Sequence, residues 1–287
     1  MVLLYMRLYV KNQFYYKNFI IMNGGQIMTR LIKIAALTLC ALMLCSLLAA
    51  CGTTPDVDYI KKTGKLVMLT SAGFPPFEYV EGGQVVGVDV DIANEIAKDL
   101  GVALEVQDME FAGIVGAIKS GKGSLGIAGM SITEERKQSV DFSIQYVNSK
   151  LFILVAAGND AINTPDDLKG KIIGVQTGTT SDIFASDVEN ATINRYSQFL
   201  EAATALTAGK VDAMVVDELT ANEIMAANEG KMKMLETPLA EEAYAIAVQK
   251  GNSTLLEAVN KTLQRLIDEG KIEEYIYNHS AGSEAAE

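Results

Sequence analysis

The sequence predicts an α/β protein, and three observations carry that expectation. Short apolar runs of strand length recur along the chain. Segments with apolar residues at helical spacing stand between them. Glycine, proline or aspartate follows most of the runs, where turns are needed. Leu66–Leu69 is a short apolar strand, and Pro75-Pro76 breaks the chain into a loop after it. From Val88 to Leu100, Ile92, Ile96 and Leu100 keep helical spacing, and Gly101 serves as C-cap. Leu104–Val106 is the next strand, Ile114–Ile118 a helix ended by Ser120-Gly121, and Leu125–Ala128 a strand running into the loop Gly129-Met130-Ser131.

A second block begins near Gly158. Thr164 caps a short helix with Pro165 at its first position. Ile172–Val175 is a strand, Phe199–Ala208 a helix, and Ala213–Val216 a strand ending at Asp217. After Ala240 the pattern returns to strand over Tyr244–Val248, and a final helix covers Thr254–Asp268, closed by Glu269-Gly270. Residues 280–287 read as a disordered acidic tail.

Charge and cysteine usage narrow the function. The 287-residue chain has a net charge of -12. Its first fifty residues contain basic side chains and no acid, so the remainder is more acidic still. Such a surface lacks the basic patches that nucleic acid requires and suits a soluble monomer. All three cysteines (Cys40, Cys45, Cys51) lie near the N-terminus, and the single histidine, His279, lies near the other end. Neither a zinc site nor a Ser-His or Cys-His pair is expected, and neither a cofactor nor a catalytic residue is assigned.

The N-terminal part reads as an address. Met28-Thr29-Arg30-Leu31-Ile32-Lys33 is a basic start, an apolar run follows to Ala50, and Cys51 ends it. This is the layout of a secretory signal peptide over residues 28–50. Leu48-Ala49-Ala50-Cys51 resembles the bacterial lipobox, which makes Cys51 the lipidation site and residues 51–56 a lipidated tether. The expected location is the outer face of the cytoplasmic membrane, held by the lipid alone. Residues 1–27 precede a complete signal peptide and read as an upstream extension ahead of a start at Met28.

Loops that follow strand ends are where open α/β sheets collect ligands. Here they are Ser71–Phe77, Gly129–Arg136, Gln176–Ser181 and Asp217. At these places the sequence resembles a known family. Phe74-Pro75-Pro76-Phe77-Glu78, Gly87-Val88-Asp89-Val90-Asp91, the run from Ala128 to Arg136, and Val140-Asp141-Phe142-Ser143 are similar to family 3 extracellular solute-binding proteins, the polar-amino-acid receptors of ABC importers. The resemblance covers about Leu66 to Tyr277. It implies the type II periplasmic-binding-protein fold: two α/β lobes, here 57–154 with 244–279 and 158–240. Two hinge strands would lie near Val155–Ala157 and Glu241–Ala243. It also implies two partners, an L-amino acid and an importer permease.

The residues suit an amino-acid zwitterion. By the resemblance, Arg136 provides the guanidinium that pairs with a carboxylate through two parallel hydrogen bonds. Thr179 and Thr180 begin a predicted helix whose free N–H groups would attract the same carboxylate. Asp217 supplies a charge, Ser131 a hydroxyl and Gly129 a carbonyl for the ammonium. Phe74 and Phe111 match aromatic positions that sandwich the ligand side chain. Ser71 stands where receptors for basic or amide side chains often carry Asp, and Gln176 replaces a residue that is sometimes Lys, so the side chain recognised stays open. Two rival functions share this fold, an enzyme (dehydratase or lyase) and a detached extracellular sensor. An enzyme needs an acid or base beyond Asp217, and Glu218 is the obvious candidate.

Overall fold

The computed structural model describes residues 54–280. The upstream extension, the signal peptide, Cys51 and most of the tail therefore lie outside the described residues. Among the described residues no helix is long and apolar enough to cross a membrane.

The first elements are α1 (Val57–Thr63), β1 (Lys65–Thr70), the hairpin β2 (Tyr79–Glu81) and β3 (Gln84–Val86), α2 (Val88–Leu100), β4 (Ala103–Asp108), α3 (Phe111–Lys119), β5 (Leu125–Gly126), α4 (Glu134–Lys137) and β6 (Val140–Phe142). There follow β7 (Val147–Ala156), β8 (Ile172–Gln176), α5 (Thr180–Ser186), β9 (Thr192–Tyr196), α6 (Phe199–Thr207), β10 (Ala213–Asp217), α7 (Glu218–Ala227) and β11 (Met232–Met234). The chain closes with β12 (Ala240–Tyr244), β13 (Ala247–Gln249), α8 (Ser253–Asp268) and α9 (Lys271–His279).

Two sheets organise these elements into two α/β lobes. The first has the order β4-β1-β5-β13-β6, and the second β11-β7-β10-β8-β9 with β12 beside β7. Within them β1 runs parallel to β4 and β5, and β8 parallel to β9 and β10. Parallel neighbours need crossover helices, which explains the alternation read from the sequence. The central strands are buried on both faces, so they appear as continuous apolar runs; every residue of β10 is buried. Helix α2 spans the predicted residues, turns Ile92 and Ile96 into the core, and stops at Gly101, whose φ of 73° is the left-handed conformation that glycine adopts freely.

The chain passes between the sheets twice, and here two expectations need correction. The first crossing lies before Val147, not at Val155–Ala157. Strand β7 is unbroken from Val147 to Ala156, pairing with β12 over Val147–Leu151 and with β10 over Leu151–Val155. Its apolar end belongs to the second sheet, because Leu151–Val155 is buried there between neighbours. The expected strand Tyr244–Val248 is in fact the end of one strand and the start of another. Tyr244 pairs with Val147 in the second sheet and Ala247 with Phe142 in the first. The two crossing segments run side by side, with Tyr146 N donating to Tyr244 O at 3.0 Å and Ser143 N to Ile246 O at 2.9 Å.

Other differences are local. The segment after Thr164 is a single 3-10 turn, Pro165–Leu168, and Leu125–Ala128 is a strand only over its first two residues. Ile127 and Ala128 leave the ladder to carry the chain into the Gly129 loop, yet both stay buried.

Candidate functional site

The predicted loops meet between the two sheets. A small pocket is lined by Phe74, Glu78, Phe111, Ala128, Gly129, Ser131, Arg136, Gln176, Thr179, Thr180, Phe199 and Asp217. Nine of the ten predicted ligand residues are in this lining. The tenth, Ser71, is buried one layer back, where its hydroxyl accepts a 3.2 Å hydrogen bond from Gln176 Nε2. That bond spans the two sheets, since Ser71 follows β1 and Gln176 ends β8. Gln176 Nε2 also donates to Ser197 O at 2.9 Å, so the amide is held from two sides.

Arg136 is positioned by the short helix α4. Thr133 caps that helix by accepting from Arg136 N at 3.1 Å. The guanidinium donates from Nη1 to Ser131 O at 2.6 Å and from Nη2 to Gly178 O at 3.0 Å, and its carbon lies 5.1 Å from the centre of the Phe111 ring. The ring face favours the cation. Burial lowers the Arg136 pKa, while Glu242, Glu135 and Asp217 oppose that shift. Both carbonyl acceptors are neutral, so the charge itself has no ion pair in these contacts.

Asp217 ends β10, fully inside, and accepts from Tyr244 OH at 2.5 Å and from Ser149 Oγ at 3.4 Å. Burial pushes its carboxyl up to about 7, the charge of Glu242 adds to the rise, and the tyrosine and serine bonds oppose it. A carboxyl so placed would be returned to its ionised form by an ammonium group.

The Gly129 loop is built around a close approach. Gly129 has φ 51°, and a Cβ there would lie 2.4 Å from Cε1 of Phe74. Its N–H donates to Asp89 Oδ2 at 2.8 Å, and Tyr146 OH holds the other carboxylate oxygen at 2.7 Å. Asp89 is pushed up to about 6 by burial, against the pull of those two bonds. Phe74 is fixed in an aromatic cluster, 5.5 Å from Phe77, 5.4 Å from Phe199 and 6.1 Å from Tyr244 between ring centres. Of this cluster, Phe74 and Phe199 line the pocket and, with Phe111, give it an apolar wall.

Two site features differ from the sequence expectation. Thr179 faces its own loop: its hydroxyl donates to Gln176 O at 2.8 Å and accepts from Asp182 N at 3.2 Å, so it caps α5. With that, its hydroxyl proton is committed to the fold. The acids near the site also exceed the one candidate, Glu218, read from the sequence. Glu78 is buried in the lining beside Asp89, with which its carboxyl shares a hydrogen bond. Burial, and next the charge of Asp89, raise its pKa well above the ordinary range. Glu242, in β12, accepts from Ser131 Oγ at 2.5 Å and from Thr180 Oγ1 at 2.9 Å.

Sequence reasoning placed Glu78 inside a motif and Glu242 at a crossing, and assigned neither to the site. Phe199 gave no signal beyond the start of a helix. No group of His, Cys, Asp and Glu suited to hold a metal occurs among the described residues.

Comparison with known proteins gives a consistent picture. Residues 66–280 match the family model for bacterial extracellular solute-binding proteins, family 3. The arginine-binding extracellular protein ArtP of Bacillus subtilis is 33% identical over 233 residues, which cover 79% of this chain and 89% of ArtP. The holo form of ArgBP from T. maritima is 40% identical with a TM-score of 0.71, covering 76% of this chain and 98% of that one. An ancestral arginine-binding protein bound to glutamine is 42% identical with a TM-score of 0.69, covering 75% of this chain and 97% of that one.

Proposed function

Because this chain belongs to family 3 of the bacterial extracellular solute-binding proteins, whose members are solute receptors and not enzymes, we propose that it binds a polar L-amino acid in the cleft and presents it to an ABC transporter permease. One observation carries the reading of the ligand: a buried cation, Arg136, and a buried carboxyl, Asp217, line a single pocket. A zwitterion has one group for each. Its carboxylate would take the guanidinium in place of the neutral carbonyls, and its ammonium would restore the charge of Asp217. The lobes would close on that pair, since Arg136 follows the first sheet and Asp217 ends a strand of the second.

L-Arginine is the first candidate. After the zwitterion is paired, Glu78 in the lining and Asp89 beside it remain as a buried acid pair, and a cationic side chain would restore the charge that burial disfavours there. The similar proteins named for arginine agree with this choice. L-Glutamine is the second reading, and it is favoured by the Ser71–Gln176 bond, which offers amide and hydroxyl dipoles instead of a charge. Lipid anchoring through Cys51 would keep such a receptor beside its importer and raise its effective concentration there.

The test is a thermal-shift screen of the twenty L-amino acids and cystine, since a ligand that binds only the folded state raises the melting temperature. L-Arginine should give the largest shift, and the polar amino acids should exceed the aliphatic ones. No shift with any of the compounds would sink the amino-acid reading, and a shift with glutamine alone would decide for the second candidate.

A further inference from the structure

We propose that Glu242 is a built-in competitor for the amino acid's carboxylate, its own carboxylate tying Ser131 to Thr180 across the cleft so that a ligand must break that tie to bind. The proposal rests on the amino-acid reading above. Ser131 lies in the loop after β5 of the first sheet, Thr180 opens α5 after β8 of the second, and Glu242 sits in β12 of the second sheet, opposite Ser149 of β7 and three residues before the chain crosses back. One oxygen, Oε2, accepts from both hydroxyls, at 2.5 Å and 2.9 Å.

Each hydroxyl has a single proton to donate. The Thr180 hydroxyl that gives it to Glu242 cannot also give it to a ligand oxygen, so the two carboxylates exclude one another at that donor. The same carboxylate lies within electrostatic reach of Arg136 and of Asp217. It therefore screens the guanidinium that a ligand carboxylate would seek, and it burdens the carboxyl that an ammonium would seek. There is room for the side chain to leave. Beside it lies an open recess, lined by Gln145, Asn148 and Glu241 as well as by Ser131, Thr180 and Glu242 itself. A displaced carboxylate could turn into that polar space and regain water.

The consequence is a population effect. A tied cleft is not competent to bind, so apparent affinity is reduced by the fraction of molecules that are tied. Removing the tie should raise affinity, whereas removing a residue that contacts the ligand should lower it. Two variants of the purified protein separate these cases. Glu242→Gln keeps an acceptor oxygen and loses the charge, and Glu242→Ala loses both.

Calorimetric titration with L-arginine, or with whichever amino acid the thermal-shift screen selects, should show Glu242→Ala binding about threefold or more tighter than the unmodified protein. Glu242→Gln should fall between them. Small-angle scattering without amino acid should give Glu242→Ala a larger radius of gyration, because one carboxylate-held bond between the sheets is lost, leaving the weaker neutral Ser71–Gln176 bond and the Arg136–Gly178 bond. Unchanged or weaker binding in Glu242→Ala, or identical scattering of the two ligand-free proteins, would overturn the proposal. If the unmodified protein binds no amino acid at all, the functional reading falls first, and the scattering comparison still decides whether Glu242 holds the cleft.

Discussion

Asp217→Asn should make the protein more stable at alkaline pH while nearly abolishing amino-acid binding. The stability half follows from burial. A carboxyl whose ordinary pKa of 3.8 is pushed up to about 7 in the folded state is costly to ionise there, by about 4 kcal/mol. The folded value lies above the unfolded one. Its favourable share is therefore complete below the unfolded pKa and is lost as pH rises through 7. Asparagine does not titrate, and its Oδ1 can still accept from Tyr244 OH, so the local geometry should persist. Relative to the unmodified protein, the variant should gain about 4 kcal/mol between pH 4 and pH 8. Any pH-independent cost of the amide cancels in that difference. Urea denaturation without amino acid, at both pH values, measures it. The binding half follows from charge: an ammonium left without its buried counter-ion loses on the order of 3 kcal/mol, or about a hundredfold in affinity. If Asp217→Asn follows the unmodified protein in stability at both pH values, the desolvation argument is wrong. If it binds with near-normal affinity, Asp217 is not the ammonium's partner.

Arg136→Ala should weaken amino-acid binding by about a hundredfold or more, read by calorimetry, because the ligand carboxylate would lose a desolvated partner. Affinity of the unmodified protein should fall as pH drops below about 7, where Asp217 takes up a proton that the ammonium must expel; titrations at pH 8 and pH 5 would show it, and a flat profile would contradict it. Gly129→Ala should destabilise the fold by roughly 1–3 kcal/mol, since its Cβ would meet the Phe74 ring from a left-handed backbone; a thermal melt within a degree of the unmodified protein would refute this. Cys51→Ser should release the protein into the medium or leave it as a longer precursor, and a mature-sized membrane-bound variant would show that the lipid attaches elsewhere or not at all.

The parts of this molecule legible in the sequence are those whose physics is local. Helix α2 was readable because Ile92, Ile96 and Leu100 share one face and Gly101 ends it. Strand β10 was readable because a strand buried on both faces is a plain apolar run. Arg136, Asp217 and the Gly129 loop came from their places after strands and from motif resemblance. What stayed hidden depends on partners distant in the chain. The break at Ala245-Ile246 has no turn residue, since each half simply pairs with a different sheet. Helix α9 went unread because its apolar stripe, Ile272, Tyr275 and Ile276, spans barely one turn and only Ile272 is fully buried. Glu242 reads as one acid in an exposed pair, and only the approach of residues 111 and 62 positions away gives it partners.

Strand β12, which leads into the second crossing, therefore does more than extend the second sheet. Within three residues it carries Glu242, which touches a hydroxyl from each lobe, and Tyr244, whose OH reaches Asp217 while its ring packs on Phe74 and Phe77. Any rotation of one lobe against the other must pass through this segment, so it must also disturb the contacts of both acids. The charge on Asp217 is unfavourable while buried and becomes favourable once an ammonium sits beside it. Closure over an ionised Asp217 is then penalised without ligand and rewarded with it. Glu242 works in the opposite sense, holding the lobes together through hydroxyls that a ligand would otherwise use. On the proposed reading, the balance between these two carboxylates would set how readily the cleft opens to receive an amino acid and how firmly it shuts afterwards.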